Sequence, residues 1–223
     1  MKRTLDNETM AKRVAQEFED GMVVNLGFGM PILAANFVPE GKRIFFHAEN
    51  GILGYGSIIQ EGQDIDPDLI NPGGLYVRPL PGMSVFNHEE AFDMIRGGHV
   101  DLVVLGALQV SKNGDLANWF NPAKGIGNIG GAMDLAVGAK KVIVVMEHTT
   151  KDGKSKILNE CTFPLTAREC VDMIISDIAT IELTPGGMIL KEVAPGWSSE
   201  EVQSLTEPHL IVADDLKEMD LRV

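Results

Sequence analysis

The stretch Met22-Val23-Val24-Asn25-Leu26-Gly27-Phe28-Gly29-Met30-Pro31 decides the fold class. Its first five residues, four of them apolar, read as a buried strand. The two glycines permit a tight turn, and Pro31 suits the first position of a helix. The spacing therefore predicts a helix over residues 31–37, stopped by Pro39, and a second strand over 44–48. Upstream, Met10, Val14 and Phe18 form one apolar stripe with Ala11 and Ala15 beside it. That predicts a helix over about 8–20, with Asn7 as its cap and Gly21 past its last turn.

Downstream the alternation continues. Residues 89–96 read as a short helix ending at Gly97-Gly98, and 100–110 as a strand. Lys112-Asn113-Gly114-Asp115 is a hairpin turn into residues 116–120. A glycine-rich loop over 125–131 leads into a short helix ending near Gly138, and 141–146 is another core strand. Thr166 with Glu169 reads as a capping box for a helix carrying Val171, Ile174 and Ile175. Thr184-Pro185-Gly186-Gly187 joins two strands, Ser198 with Glu201 caps a last short helix, and the acidic run 214–220 reads as a solvated terminus. Alternating strands and helices predict an α/β fold, a mostly parallel open sheet with helices on both faces. With no repeat or linker, residues 1–223 are expected to form one domain.

Composition narrows the partners. The 223 residues are 44% hydrophobic and 23% charged, an ordinary globular balance. Nineteen basic against 32 acidic side chains leave a formal charge of −13, which argues against nucleic acid or an anionic membrane as the main partner. Apolar runs such as 142–146 are too short to cross a bilayer. The start Met1-Lys2-Arg3-Thr4-Leu5-Asp6 lacks the apolar core of a signal peptide, so a cytoplasmic protein is expected. Cys161 and Cys170 make neither a disulfide framework nor a zinc knuckle. The five histidines (47, 88, 99, 148 and 209) include no i, i+4 pair, so no metal site is expected.

Two stretches carry chemistry. Phe45-Phe46-His47-Ala48-Glu49-Asn50-Gly51-Ile52-Leu53-Gly54 places a carboxylate at the C-terminal end of a buried strand, the edge where ligands collect in open α/β sheets. The same letters read as a hairpin with an Asn-Gly turn, although two glycines within 52–56 make a poor return strand. Gly125-Ile126-Gly127-Asn128-Ile129-Gly130 fits the dinucleotide fingerprint, with Glu147 twenty positions after Gly127 where a ribose-binding carboxylate belongs. That supports a nicotinamide-dependent oxidoreductase. Against it, Asn121-Pro122-Ala123-Lys124 separates the loop from the strand that should feed it. The loop then reads as a backbone nest able to stabilise an oxyanion. The long irregular stretch over 51–81 reads as functional.

Several matches in one order resemble the β (B) subunit of family I CoA-transferases. Glu49-Asn50-Gly51 resembles that family's Ser-Glu-Asn-Gly signature, and Gly27-Phe28-Gly29-Met30-Pro31 its early Gly-x-Gly-x-Pro loop. Ile95-Arg96-Gly97-Gly98-His99-Val100-Asp101, Leu105-Gly106-Ala107-Leu108-Gln109-Val110, Leu116-Ala117-Asn118-Trp119, Gly130-Gly131-Ala132-Met133-Asp134-Leu135 and Cys161-Thr162-Phe163-Pro164-Leu165-Thr166 follow in the family's order. Two departures are Ala48, where the family usually has Ser, and Asn128-Ile129 before the paired glycines.

The resemblance implies a CoA-transferase-like fold and transfer of coenzyme A between an acyl-CoA and a free carboxylic acid, a 3-oxoacid or short-chain fatty acid. It makes Glu49 the nucleophile, forming a glutamyl-CoA thioester in a ping-pong cycle. A carboxylate is ionised at neutral pH, so no neighbouring base is needed. Asn50 and the backbone at Gly130 and Gly131 are the expected oxyanion and site groups; Gly27, Gly29, Gln109, Asn118 and Lys124 are expected to bind substrate or CoA. No permanent cofactor is implied, coenzyme A being substrate and covalent intermediate. A separate α (A) subunit is implied, in a heterotetramer or larger assembly. The CoA phosphates would meet Lys124, Lys140 or Lys141, or else sit largely on the partner chain or in solvent. A non-catalytic effector-binding domain of related fold is the remaining alternative.

Overall fold

The computed structural model describes residues 2–59 and 64–221. Helix α1 spans Asn7–Ala15, strand β1 Val23–Leu26, and a 3₁₀ segment Met30–Phe37 follows. β2 (Phe45–Ala48), β3 (Ile52–Tyr55) and β4 (Ser84–Val85) precede α2 (His88–Arg96) and β5 (Leu102–Gly106). Four short strands come next: β6 (Gln109–Ser111), β7 (Leu116–Ala117), β8 (Phe120–Asn121) and β9 (Ile126–Gly127). α3 (Ala132–Gly138), β10 (Lys141–Met146), β11 (Ile157–Leu158) and β12 (Met173–Ser176) continue the chain. β13 (Ala179–Thr184), β14 (Gly187–Val193), α4 (Ser199–Ser204) and β15 (Leu210–Glu218) complete it.

Ten strands form one sheet in the order β15-β14-β13-β12-β10-β5-β1-β2-β3-β4. The middle five, β12, β10, β5, β1 and β2, are parallel; β2–β3, β3–β4, β12–β13 and β13–β14 are antiparallel, and β14–β15 is parallel. The parallel strands are apolar on both faces because both faces are covered. Val103, Leu105, Val142, Val144 and Met146 point into one core with Ile95 of α2 and Leu135 of α3. Leu102, Val104, Ile143 and Val145 point into the other with Met10, Val14 and Phe18. Fully burying each such side chain contributes about 1.5–3 kcal/mol.

The chain steps from β1 to β2 on one side and then returns to β5 on the other. The carboxyl ends of β1 and β5 therefore flank a topological switch point, where an open sheet leaves a crevice.

Several expectations are corrected. α1 ends at Ala15, and its cap is Asp6, whose side chain accepts from Thr9 N, not Asn7. The segment after Gly29 is 3₁₀, not α. The strand expected over 100–110 is two, β5 and β6, broken at Ala107-Leu108. No helix follows Thr166. Its hydroxyl donates to Asn118 Oδ1 at 2.6 Å, and Glu169 sits at φ +47°. Ile174 and Ile175 instead enter opposite cores from β12, the period of a strand. The acidic run lies largely within β15. Of the irregular stretch, Ile52–Tyr55 is strand, and residues 60–63 lie outside the described residues.

Candidate active site

A cavity of about 970 Å³ opens at the switch point. Leu26 and Gly27 line it from the end of β1, Leu105 and Gly106 from the end of β5, and Glu49 from the end of β2. Both readings of the Glu49 segment hold together. β2 and β3 are antiparallel with Ala48 opposite Ile52, so residues 49–51 are a hairpin loop, and its first residue faces the cavity. The paired glycines do not prevent the return strand. Gly54 takes φ +84° beside a register shift, where a residue without Cβ is at ease.

Parallel pairing then builds what lies beneath the carboxylate. Asn25 of β1 is opposite His47 of β2, and Glu49 is two residues further along, on the same face as His47. Asn25 is fully buried, and its Nδ2 donates to Glu49 Oε2 at 3.1 Å and to His47 Nδ1 at 3.0 Å. His47 is 1% exposed, and burial pushes its imidazole below the ordinary value, so it is held neutral. Asn25 Oδ1 is buried without a hydrogen bond among the described residues. Beside this group, burial and then the charge of Glu49 hold the Tyr55 phenol protonated. His88 Nδ1 bonds the Glu49 carbonyl at 2.8 Å, and its ring lies 4.7 Å from Phe92.

The glycine loop closes the opposite wall. Gly131 precedes α3, and a Cβ there would stand 3.8 Å from Glu49 Cγ and 3.0 Å from Phe92 Cζ. The tight neighbour is the Phe92 ring, so glycine there spares a crowded contact with Phe92 while the backbone lies within ordinary contact of the carboxylate side chain. Gly130 also lines the cavity, but its N–H donates to Asn128 Oδ1 at 3.1 Å. Of the two amides expected to meet an oxyanion, that of Gly131 is the remaining candidate. Asn50 lines the cavity and spends its amide on the Ile70 carbonyl at 2.7 Å, tying the long loop over residues 64–81 to the site.

Other predicted positions divide. Gly27 lines the cavity; Gly29 does not, and it serves instead to open the 3₁₀ segment. Asn118 lines it with both ends of its amide engaged, Nδ2 on the Gly106 carbonyl and Oδ1 on Thr166. Gln109 is outside. Its Oε1 accepts from the N–H groups of Thr162 and Phe163, a structural use. Lys124 is exposed on the turn between β8 and β9 and also stands apart. Ala48 joins the core on the α1 face, away from Glu49, so a hydroxyl there would not face the cavity.

The dinucleotide reading fails on geometry. Ile126–Gly127 pairs antiparallel with Phe120–Asn121, so the first two glycines sit in a hairpin instead of joining a strand end to a helix. Glu147 lines a neighbouring hollow with Lys156, not the glycine loop. Among the described residues no cluster of His, Cys, Asp or Glu suits a metal, and no helix is long and apolar enough to cross a membrane.

A carboxylate at a cavity wall, one oxygen held by a buried amide and backbone close beside it, is equipped for acid–base or nucleophilic chemistry. Residues 7–205 match the Coenzyme A transferase family, and the chain belongs to it. The chain is 48% identical to the β (B) subunit of 3-oxoadipate CoA-transferase from Acinetobacter baylyi, over 94% of its length and 96% of the relative's. It is 50% identical to the corresponding subunit of succinyl-CoA:3-ketoacid coenzyme A transferase from Helicobacter pylori, covering 90% and 96% of the two. Among solved structures, the decarboxylase AibA/AibB superposes with a TM-score of 0.75 at 20% identity, over 99% of this chain and 91% of the other. That likeness is one of fold alone, and a decarboxylase and a transferase sharing it shows why the site must carry the argument. The activity is transfer of coenzyme A between an acyl-CoA and a free acid, with CoA as a substrate and not a resident cofactor.

Proposed function

We propose that Glu49 is the covalent nucleophile of this transfer. The observation that carries the reading is the carboxylate's setting: Oε2 held by Asn25, and the cavity and the Gly131 backbone on its other side. The free oxygen, Oε1, attacks the thioester carbonyl. The tetrahedral intermediate collapses to an acyl-glutamyl anhydride and CoA thiolate. The thiolate attacks the glutamyl carbonyl, the first acid leaves, and CoA remains on Glu49 as a thioester. A second carboxylate reverses both steps. The Gly131 N–H is the candidate oxyanion donor, worth about 3–4 kcal/mol in a site that excludes water.

The acids we infer are 3-oxoacids or short-chain acids, in keeping with the names of the relatives. The whole chain acts as one domain and works with an A-type subunit, in a heterotetramer or larger assembly. A cytoplasmic setting agrees with two cysteines that are both free thiols.

The test is chemical trapping. With the partner subunit and acetoacetyl-CoA, borohydride should reduce the thioester, abolish activity and leave Glu49 modified in the peptide mass spectrum. An assembled Glu49→Ala variant should lose at least about 10⁴-fold in kcat, as for loss of a covalent nucleophile. Label on another residue, or undiminished turnover by that variant, refutes the assignment.

A further inference from the structure

Asn25 leaves a buried carbonyl oxygen unpaired while its single nitrogen serves two acceptors. An unmade buried hydrogen bond is costly, and an exception of this kind calls for an explanation. One lies in which way the amide is turned. Reversed, it would aim Oδ1 at the Glu49 carboxylate, placing two acceptors face to face. Held as it is, Nδ2 gives one hydrogen to Glu49 Oε2, and its second hydrogen needs an acceptor. His47 Nδ1 is that acceptor, so the ring must carry its proton on Nε2, which is itself buried without a hydrogen bond among the described residues. A ring protonated on Nδ1 would offer a donor to a donor and turn the amide away.

We propose that His47 is a positioning residue for the transfer: as the Nε2-protonated tautomer it fixes the Asn25 amide, which in turn holds Glu49 Oε2 and presents Oε1 to the substrate. The geometry follows from strand register, with Asn25 opposite His47 and Glu49 on the same face two residues beyond. The surroundings lock it. The Phe86 ring lies 6.3 Å from the imidazole, tilted by 32°, and all of His47 but 1% is out of solvent. Its effect belongs on kcat. The carboxylate's aim governs the bond-forming steps, while His47 lines no part of the cavity that takes the substrate.

This inference rests on Glu49 being the nucleophile, and the experiment separates the two. The complex with its partner subunit is prepared as wild type, His47→Asn and His47→Leu. Asparagine puts Oδ1 near the place of Nδ1 and restores an acceptor; leucine fills the space without one. Single-turnover formation of the Glu49–CoA thioester from acetoacetyl-CoA is followed by mass spectrometry beside steady-state kcat and KM. Expected is a kcat and thioester rate at least about tenfold lower in His47→Leu at nearly constant KM, with most of the loss recovered in His47→Asn. Equal losses in both variants would mean a packing role only and overturn the proposal, as would a wild-type rate in His47→Leu. If the wild type itself forms no thioester on Glu49, the catalytic assignment falls first, and this inference with it.

Discussion

At the scale of the residue, the hairpin loop works because its last position is glycine. Gly51 has φ +106°, and a Cβ there would stand 2.0 Å from the carbonyl oxygen of Phe86, whose N–H in turn bonds the Gly51 carbonyl at 3.0 Å. A Gly51→Ala chain must both take a strained backbone, about 1–2 kcal/mol, and push away the strand beside it. We expect it to lose more than about 2 kcal/mol in urea unfolding, and the native fraction to lose activity because Glu49 is displaced; unchanged stability would contradict the geometry. How much of the site the sequence discloses depends on what kind of signal each residue leaves. Glu49, Asn50 and Gly27 are visible because they follow directly on strands, and Gly131 because it sits in a glycine-rich loop opening a helix. Asn25 and His47 pass as strand residues, although one polar side chain in an apolar run, opposite another two positions before the carboxylate, is a readable sign. His88 and Phe92 reach the cavity only through the placing of α2, which no local pattern encodes.

At the scale of the element, the parallel strands are legible because double burial leaves unbroken apolar runs, and the capping box expected at Ser198 and Glu201 is formed at α4. The same motif misleads at Thr166, where the hydroxyl serves Asn118 and tertiary pairing claims the following residues for β12. Beyond the end of β10, His148 ties three elements together. Its Nδ1 meets Ser176 Oγ of β12 at 2.9 Å and its Nε2 meets Thr206 Oγ1, just past α4, at 2.8 Å. Burial, with the charge of Lys156 adding, pushes this imidazole down to about 4. The unfolded chain therefore takes up a proton near pH 6.5 that the folded one refuses until about pH 4. Stability contributed by the neutral ring is complete above pH 6.5 and is lost as pH falls through that window, by roughly 3 kcal/mol in all. Chemical unfolding of the wild type and of His148→Gln at pH 7, 5.5 and 4 should show a shallower decline in the variant; parallel curves would show that His148 does not carry the loss.

At the scale of the whole molecule, charge and exposed apolar surface point to the same missing piece. Coenzyme A is a polyanion, yet the chain has a formal charge of −13. Two of the cations expected to meet its phosphates are already engaged: Lys140 with Asp101 at 2.7 Å and Lys141 with Glu17 at 3.1 Å. Large apolar side chains also stand in the open. Phe28, which lines the cavity, is 81% exposed; Val137 of α3 is 75% and Ile126 of β9 68% exposed. Exposed aromatic and aliphatic groups of this kind suit a surface that another subunit covers. The anhydride of the proposed cycle also needs such a cover, because an open cavity would hydrolyse it. The isolated chain is therefore expected to remain folded but to exchange no CoA. Titration with the A-type subunit should raise acyl transfer until the subunits are equimolar and then level off. The ratio of acyl-CoA hydrolysis to transfer should fall over the same range as water is shut out. Transfer by the isolated chain at the rate of the complex would overturn this reading, because this chain's own cavity would then suffice alone.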